Sequence, residues 1–270
     1  MEAKVPVTGY YSKTLESADK AATFTNTTVY QDMKELIAAS DTLFITTPDG
    51  VIEQIWDCIV NMGIDLSGYI FCHFSGSLSS YVFSGIERTN AKGCSIHPMY
   101  AFSDKYTSYL KFKTAYLTME GEAQAVAKMR ALFEALGHNV LTIQSADKIK
   151  YHAAATLASN AMLGLVQASL DILKNCGFSE SESMALLEPL VTGNISSMLQ
   201  SGCVKALTGP VERGDVETVK KHLRALQGSE EEVIYCSLAK KLVKLAKCKN
   251  PERDYTALER IINEKYSQYI

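Results

Sequence analysis

Residues 42–48, TLFITTP, and residues 69–77, YIFCHFSGS, are two apolar runs that each end in a polar turn. Between the two runs, Ile52, Ile55 and Ile59 recur at helical spacing. A strand, a helix and a second strand at this distance predict a β-α-β unit, which is the building block of a parallel sheet covered by helices.

The same alternation extends to both sides of this unit and then stops. Further strands are predicted at 5–11, 28–30, 93–97, 114–119 and 139–143, and helices at 17–24, 32–39, 78–88 and 122–136. From residue 146 onward strand patterns almost disappear, and helices are predicted at 146–175, 180–201, 215–227, 229–247 and 253–267. Ser179 and Asp215 are predicted as N-caps of two of these helices. We therefore expect an α/β domain with a Rossmann-like parallel sheet at 1–145 and an all-helical domain at 146–270.

The composition is that of an ordinary globular protein, with 270 residues, 47% of them hydrophobic, and a net charge of −3. The negative charge argues against a nucleic-acid surface, and the apolar runs are too short for a membrane span. The seven cysteines include no C-x-x-C pair, which favours reduced thiols. Since the first residues also lack the apolar run of a signal peptide, we expect a cytoplasmic protein with neither a nucleic-acid nor a membrane partner.

Polar residues cluster after four of the predicted strands, at the edge where an open parallel sheet binds its ligands. The clusters are Ser12-Lys13-Thr14, Thr46-Thr47-Pro48-Asp49, residues 73–77 and residues 97–99. The first two clusters are the candidates for binding a cofactor. A hydroxyl group beside a cation, as at Ser12 and Lys13, suits the extra phosphate of NADP; a polar turn with an exposed lysine is the alternative interpretation.

A nicotinamide-binding domain normally opens with a strand, a G-x-G-x-x-G loop and a helix, whose glycines let the backbone approach the pyrophosphate. This chain contains no such motif, and Gly9 is its only glycine before residue 50. The sequence therefore predicts a dinucleotide-binding domain without its first strand and its phosphate loop.

Five stretches of the chain resemble a family of uncharacterised oxidoreductases in which a Rossmann-like domain precedes a helical domain of unknown function, DUF2520. They are TTPDGVI at 46–52, HFSGSL at 73–78, SIHPMYAF at 95–102, YHAAATLASN at 151–160 and LTGPVERGD at 207–215. The resemblance implies binding of NADP, with NAD as the alternative, and a small-molecule substrate. It also implies a helical domain similar to those of 6-phosphogluconate and other β-hydroxyacid dehydrogenases, through which the protein forms a homodimer.

Members of that family begin with the strand, glycine loop and helix that are absent here. Two expectations follow from this departure. Either the chain begins at an internal methionine, or the protein has lost its hold on the nucleotide.

Four side chains are candidates for the chemistry. His97 follows a strand, and a histidine can exchange a proton near neutral pH; the His-Pro-Met tripeptide is also similar to that of prephenate dehydrogenases, where the histidine contacts the substrate's hydroxyl. We take His97 as the first candidate for proton transfer and His152 as the second, with Ser75 and Asn160 orienting the substrate. Each of the four could instead have a purely structural role, as a hydrogen-bonded loop or helix residue.

One face of the helix predicted from residue 146 is polar, because Lys148, His152, Ala155 and Ser159 recur at four-three-four spacing. Ser159 is a candidate contact for the substrate. β-Hydroxyacid dehydrogenases have a catalytic lysine and an asparagine four residues apart on the corresponding helix, and this sequence has no such pair.

Arg213 lies in a polar loop predicted between two helices and is a candidate to bind an anionic substrate, either within its own chain or across a dimer interface. A capped loop that fixes the helix geometry is the alternative. We expect no metal site, since the histidines lack the spacing of metal ligands.

Together these features favour an NADP-dependent oxidoreductase that transfers a hydride between the nicotinamide and a small carbonyl, hydroxy or imine compound in a cleft between the domains. The main rival is a non-catalytic dimeric binding or scaffold protein that has lost the nucleotide. A prephenate-dehydrogenase-like activity is a second alternative.

Overall fold

The computed structural model describes residues 5–104 and 106–269, and residues 1–4, 105 and 270 lie outside it. The chain divides into two compact units, residues 1–159 and residues 160–270. Strands and helices alternate in the first unit, whereas the described residues of the second unit form helices only. The expected class, an α/β domain followed by a helical domain, is confirmed.

Short strands and helices make up the first unit. Its strands are β1 (Gly9–Tyr10), β2 (Thr28–Val29), β3 (Thr42–Ile45), β4 (Ile70–His73), β5 (Lys92–Pro98), β6 (Tyr116–Gly121) and β7 (Asn139–Thr142). Its α-helices are α1 (Leu15–Thr25), α2 (Met33–Ala38), α3 (Asp49–Asn61), α4 (Ala123–Ala135) and α5 (Lys148–Ala158). The helix α5, which the sequence analysis placed in the helical domain, lies in this unit.

The strands form two sheets. β1 pairs in parallel with β2, and a separate five-stranded sheet has the order β3-β4-β5-β6-β7. Among the described residues, no ladder of hydrogen bonds joins β1 to β3. In a doubly wound sheet of order 3-2-1-4-5-6 the first strand lies between the second and the fourth. The interruption between β1 and β3 lies at the position that the first strand occupies in a sheet of that order.

Two apolar layers cover the five-stranded sheet. On one side α3 buries Trp56, whose ring centroid lies 5.0 Å from that of Phe71 on β4 and whose indole N–H donates to the carbonyl of Ser84 at 2.9 Å. On the other side Met129 of α4 packs with Met119 of β6, and both are buried. Burial of these side chains holds the strand ends, and the loops that follow them, in fixed positions.

Three predictions of local structure were wrong. β6 runs antiparallel to β5, so the sheet is mixed. The helix predicted at 78–88 is replaced by two short 3-10 turns, because Gly85 between them has a φ of 74° in the left-handed region, which ends helical geometry. The helix predicted at 146–175 breaks at Ser159, whose φ of −119° and ψ of −82° are not helical.

The second unit consists of helices α6 (Asn160–Asn175), α7 (Glu180–Ala206), α8 (Pro210–Arg213), α9 (Val216–Ala225), α10 (Glu230–Lys249) and α11 (Thr256–Tyr266). The expected N-caps are confirmed: the Ser179 side chain forms a capping box with Glu182, and Asp215 accepts from the amide of Thr218. Val219, Val243 and other buried side chains of α8 to α11 form its core.

Helices α6 and α7 leave large apolar side chains exposed. The exposed fraction is 68% for Leu163 on α6 and 77% for Leu199 on α7. The helical run Ser145–Asn175 is long and apolar enough to cross a membrane by length and composition alone. A single run of this kind is weak evidence for a membrane span, because helices of soluble proteins pass the same test.

Candidate active site

One face of β5 and β6 is polar and the other is apolar. Side chains alternate along each strand, so Cys94 and Ile96 face the buried layer beneath α4 while Ser95 and His97 face the opposite side. The antiparallel register places Ser95 opposite Glu120, and His97 opposite Thr118. Directly opposed residues point to the same face, so four polar side chains meet on one side of the sheet.

Helix α5 lies on this polar face. The Lys148 ammonium donates to the hydroxyl of Ser95 at 2.6 Å, and the hydroxyl of Tyr151 lies 2.9 Å from Nδ1 of His97. Residues three apart on a helix are separated by about 4.5 Å along its axis, and alternate residues of a strand by about 6.6 Å. Because these spacings are similar, Lys148 and Tyr151 of α5 can reach Ser95 and His97 of β5.

Two buried charges lie at the base of the site. Lys148 is 1% exposed, and burial lowers the pKa of its ammonium to about 8 against the opposing effects of the Glu120 and Asp49 carboxylates. Glu120 is 2% exposed and accepts hydrogen bonds from the amide and hydroxyl of Ser80 and from the Ser145 hydroxyl. These donors compensate for the removal of the carboxylate from water.

His97 is half-buried and is neutral at pH 7. Burial of its ring, followed by the charge of Lys148 and the proximity of His152, lowers the pKa of His97 to about 4. A histidine in this state can accept a proton or donate a hydrogen bond through one ring nitrogen, but it does not supply an imidazolium proton at neutral pH.

The two candidate histidines face the same glycine. A Cβ atom placed on Gly76, in the loop after β4, would lie 2.5 Å from Nδ1 of His152 and 2.8 Å from Nε2 of His97. Nδ1 of His152 is buried and has no hydrogen-bond partner among the described residues. The absence of a side chain at Gly76 is thus what allows both nitrogens to approach the loop.

Ser75 is 7% exposed and joins two loops. Its hydroxyl donates to Asp49 at 2.7 Å, Ser77 donates to the same carboxylate oxygen at 2.9 Å, and the amide of Leu78 donates to the Ser75 oxygen at 2.9 Å. These bonds tie the loop after β4 to the start of α3. Since the Ser75 hydroxyl also accepts from the amide of Ser77 at 3.2 Å, its proton and both lone pairs are used within these loops.

His73 lies below this loop and is fully buried. The amide of Ser75 donates to its Nδ1 at 3.2 Å, and its Nε2 lies 3.3 Å from the carbonyl of Ser79. Burial, and secondly the charge of Lys148, lowers the pKa of His73 to about 4. With both ring nitrogens bonded to backbone, His73 serves to hold the loop.

The two candidate cofactor loops lie at the expected chain positions. Ser12 and Lys13 connect β1 to α1, and Thr14 is the N-cap of that helix, accepting from the amide of Ser17. Thr46 to Asp49 connect β3 to α3, with Pro48 as an N-cap that makes no side-chain bond. The Thr47 hydroxyl oxygen is buried and has no partner among the described residues, so it is available to a ligand.

Three candidates lie elsewhere on the chain. Ser159 and Asn160 are exposed at the break between α5 and α6, where the Ser159 hydroxyl donates to the carbonyl of Ala155. Arg213 is exposed at the end of α8 in the second unit. The contacts that bring His97, His152 and Gly76 together do not involve them.

The sequence analysis did not assign roles to Tyr151, Ser95, Thr118 or Glu120. A signal was present: residues 94–97 alternate Cys-Ser-Ile-His and residues 117–120 alternate Leu-Thr-Met-Glu, so each predicted strand had one polar face. That pattern indicates a sheet face covered by polar partners. The identity of those partners depends on how α5 packs and has no signal in the local sequence.

With this geometry in view, the fold class is a Rossmann-like domain followed by a helical domain. Residues 115–242 match the family described as "Domain of unknown function (DUF2520)". The matched region begins in the sheet, includes α5 and ends in α10. No curated protein sequence matches the chain.

Solved structures with the same fold cover nearly the whole chain. Protein TM1727 from Thermotoga maritima is 25% identical with a TM-score of 0.71, over 88% of this chain and 90% of that one. The structure titled "putative NADP oxidoreductase BF3122" from Bacteroides fragilis is 20% identical with a TM-score of 0.66, over 90% of each chain. The 1-pyrroline-5-carboxylate reductase of Streptococcus pyogenes is 14% identical with a TM-score of 0.55, over 87% of each chain.

Proposed function

We propose that this protein is an NADP-dependent oxidoreductase that transfers a hydride between the nicotinamide and a small carbonyl, hydroxy or imine compound. The observation that carries the proposal is the approach of His97 and His152 to Gly76 at the carboxyl end of the parallel strands. That edge is where open α/β sheets bind their ligands. The names of the structural relatives BF3122 and 1-pyrroline-5-carboxylate reductase point to the same reaction class.

In this proposal His97 is the first group for proton transfer and His152 the second. Because His97 is neutral at pH 7, it can either accept a proton from the substrate or donate a hydrogen bond to it, and which of the two it does depends on the ring nitrogen that carries its single proton. Ser75 orients the substrate through the loop it holds against Asp49. Asn160, Ser159 and Arg213 remain candidates for substrate contacts.

The residues present fit part of a nicotinamide cofactor. We assign Ser12, Lys13 and Thr14 to the 2′-phosphate of NADP, with NAD as the less favoured cofactor, and the unpartnered hydroxyl of Thr47 supports assigning Thr46 to Asp49 to the same ligand. When bound, the nicotinamide supplies or takes up the hydride. The pyrophosphate has no glycine loop in this chain to bind it.

We further propose that residues 1–145 bind the dinucleotide and that residues 146–270 contribute substrate contacts and form a homodimer in the cytoplasm. The exposed apolar side chains of α6 and α7 support association with a second copy, because soluble monomers seldom expose large apolar patches. Leu163→Glu and Leu199→Glu are expected to lower the mass measured by light scattering to that of a monomer.

Cofactor binding is tested by the melting temperature of the full chain with NADPH or NADH at millimolar concentration. A ligand that binds the folded state raises its stability, and we expect a larger rise with NADPH. Lys13→Ala should remove the preference for NADPH, while Lys34→Ala, another exposed lysine of the same unit, should retain it. If neither nucleotide shifts the melting temperature, the oxidoreductase proposal fails for this chain.

That outcome would favour the alternative of a non-catalytic binding or scaffold protein. The observation on its side is the interruption of the sheet between β1 and β3. A direct assay of the reaction class measures the loss of NADPH absorbance with a cyclic imine or a 2-oxo acid, and the formation of NADPH from NADP⁺ with prephenate. Turnover of one of them would define the substrate class and exclude the scaffold.

A further inference from the structure

Tyr151 begins the stretch YHAAATLASN at 151–160, which by itself gave this tyrosine no role. Its hydroxyl lies 2.9 Å from Nδ1 of His97, and the two rings are nearly perpendicular with centroids 5.5 Å apart. This contact leaves Nε2 of His97 as the ring nitrogen that faces Gly76. The proton arrangement within the contact therefore decides what His97 presents to a bound molecule.

The acidities of the two groups indicate which one donates. A phenol O–H is much more acidic than the N–H of a neutral imidazole, and an imidazole nitrogen is the stronger acceptor, so the phenol donates to Nδ1 of His97 at 2.9 Å. Thr118 lies directly opposite His97 across the β5–β6 ladder, is 4% exposed and hydrogen-bonds with Tyr151. With its proton directed to His97, the phenol oxygen is left to accept from the Thr118 hydroxyl.

A neutral imidazole carries a single proton, on one of its two nitrogens. If Nδ1 accepts from Tyr151, that proton lies on Nε2. Burial of the ring and the nearby charge of Lys148 disfavour a second proton. His73 follows the same logic, since its Nδ1 accepts from the amide of Ser75.

We propose that Tyr151 is a positioning residue of the site: held by Thr118, it donates to Nδ1 of His97 and so directs the single imidazole proton to Nε2, toward Gly76. The substrate group that binds at Gly76 is then met by an N–H donor. Such a donor suits the oxygen of a carbonyl or hydroxyl group or the nitrogen of an imine. The role in catalysis rests on the proposed function, whereas the position of the proton does not.

The chain contains a matched control. His222 and Tyr235 of the second unit have the same Nδ1-to-hydroxyl distance of 2.9 Å and a ring separation of 5.6 Å. Tyr151→Phe and Tyr235→Phe each remove one hydroxyl from the Nδ1 of one histidine and keep the ring. Thr118→Val removes the proposed donor behind Tyr151 and keeps the shape of the side chain.

The test is long-range proton–nitrogen NMR of the full chain labelled with ¹⁵N in the histidine rings, which distinguishes the two neutral tautomers. With five histidines in the chain, the His97 signal is assigned by its loss in His97→Gln. We expect the Nε2–H form of His97 at pH 7 in the wild type. Tyr151→Phe should shift its tautomer ratio by about tenfold, the value of one hydrogen bond of ordinary strength. Thr118→Val should shift the ratio in the same direction by less.

Tyr235→Phe should change the His222 signal and leave that of His97 as it was. The proposal is overturned if wild-type His97 carries its proton on Nδ1, or if Tyr151→Phe leaves the His97 tautomer ratio unchanged while the other histidine signals show an intact fold. A chain that binds no NADPH but has the expected His97 tautomer would refute the proposed function and retain this inference. A chain that binds NADPH but carries the His97 proton on Nδ1 would refute this inference and leave the proposed function intact.

Discussion

The His97–Tyr151 and His222–Tyr235 pairs share one geometry and differ in their surroundings. His97 lies on β5, opposite Thr118 of β6 and in contact with Tyr151 of α5, and the buried ammonium of Lys148 is nearby. His222 is exposed, and its pair lines an apolar cleft of about 320 Å³ between helices of the second unit. The comparison teaches that the same histidine–tyrosine contact can lie in two different environments. The pairs differ in the buried charge beside His97 and in the loop glycine that Nε2 of His97 faces.

The largest effect is expected from Lys148→Met, which removes that charge. Burial lowers the pKa of Lys148 to about 8 from 10.5, so the folded state binds this proton less tightly than the unfolded chain does. The lysine therefore destabilises the fold below about pH 8, and the penalty disappears as the pH rises toward 10.5. We expect the variant to gain up to about 3 kcal/mol at pH 7, less the lost hydrogen bond to Ser95.

Urea unfolding at pH 7 and pH 10 measures this gain, with Lys150→Met as the control. Lys150 lies on the same helix with 85% of its side chain exposed. An equal change of stability in both variants would mean that burial of Lys148 is not the cause. NMR titration should also show a raised pKa for His97 in Lys148→Met, which would make it more similar to an ordinary histidine.

A smaller change, a loss of stability, is expected from Gly76→Ala, which fills the space between Gly76 and the two histidines. The new methyl group would lie within 3 Å of both His97 and His152, and relieving such contacts costs about 2 kcal/mol. Gly50→Ala in α3 is the control, because nothing lies within 4 Å of its Cβ position. Thermal unfolding that ranks the two variants equally would contradict the packing described here.

The next effect in size is that His97 makes the free energy of unfolding depend on pH below about 6.5. The pKa of His97 is lowered to about 4, chiefly by burial, so its contribution to stability is complete above about pH 6.5 and is lost as the pH falls through 4. The whole shift corresponds to about 3 kcal/mol, which solvent access to the half-buried ring reduces to about half. His97→Gln should therefore lose less stability than the wild type between pH 6.5 and pH 4.

Urea unfolding of His97→Gln and His222→Gln across that range isolates the contribution of His97. Buried His73 acts in the same direction in both variants and cancels in the difference. If the free energies of unfolding of the two variants depended on pH in the same way, the burial of His97 would not distinguish it from His222.

The smallest effect is expected from Tyr235→Phe, which deletes one hydrogen bond to an exposed histidine. We expect a loss of less than about 1 kcal/mol in the free energy of unfolding, because water replaces the lost partner. Tyr151→Phe should cost more, since Thr118 is buried and keeps its donor unpaired. A larger loss of stability for Tyr235→Phe than for Tyr151→Phe would contradict the description of the His97–Tyr151 contact as the more buried of the two.

Local patterns predicted most of the elements that build this fold. The spacing of Ile52, Ile55 and Ile59 predicted α3, and Ser179 and Asp215 predicted where two helices begin. The four polar clusters predicted the loops that follow the strands, and the structure places residues 12–14 and 46–49 in such loops. Such features are predictable because apolar periodicity and helix caps act over a few residues.

The candidate site could be predicted only in part. His97, Ser75 and His152 were singled out as polar residues near strand ends or on a helix face, but their mutual positions depend on contacts over long sequence separations. The antiparallel turn of β6, which brings Thr118 opposite His97, has no local signal. Tyr151 could equally have been a surface residue of α5 in another packing.

The sequence by itself determined the alternation of strands and helices and the helical character of the second half, because these follow from side-chain type and spacing. Only the tertiary structure decided that Lys148 is buried against Ser95 and that Tyr151 meets Nδ1 of His97. The physical reason is that burial and proton placement depend on which groups surround a side chain, and here those groups come from β5, β6, α5 and the loop at Gly76.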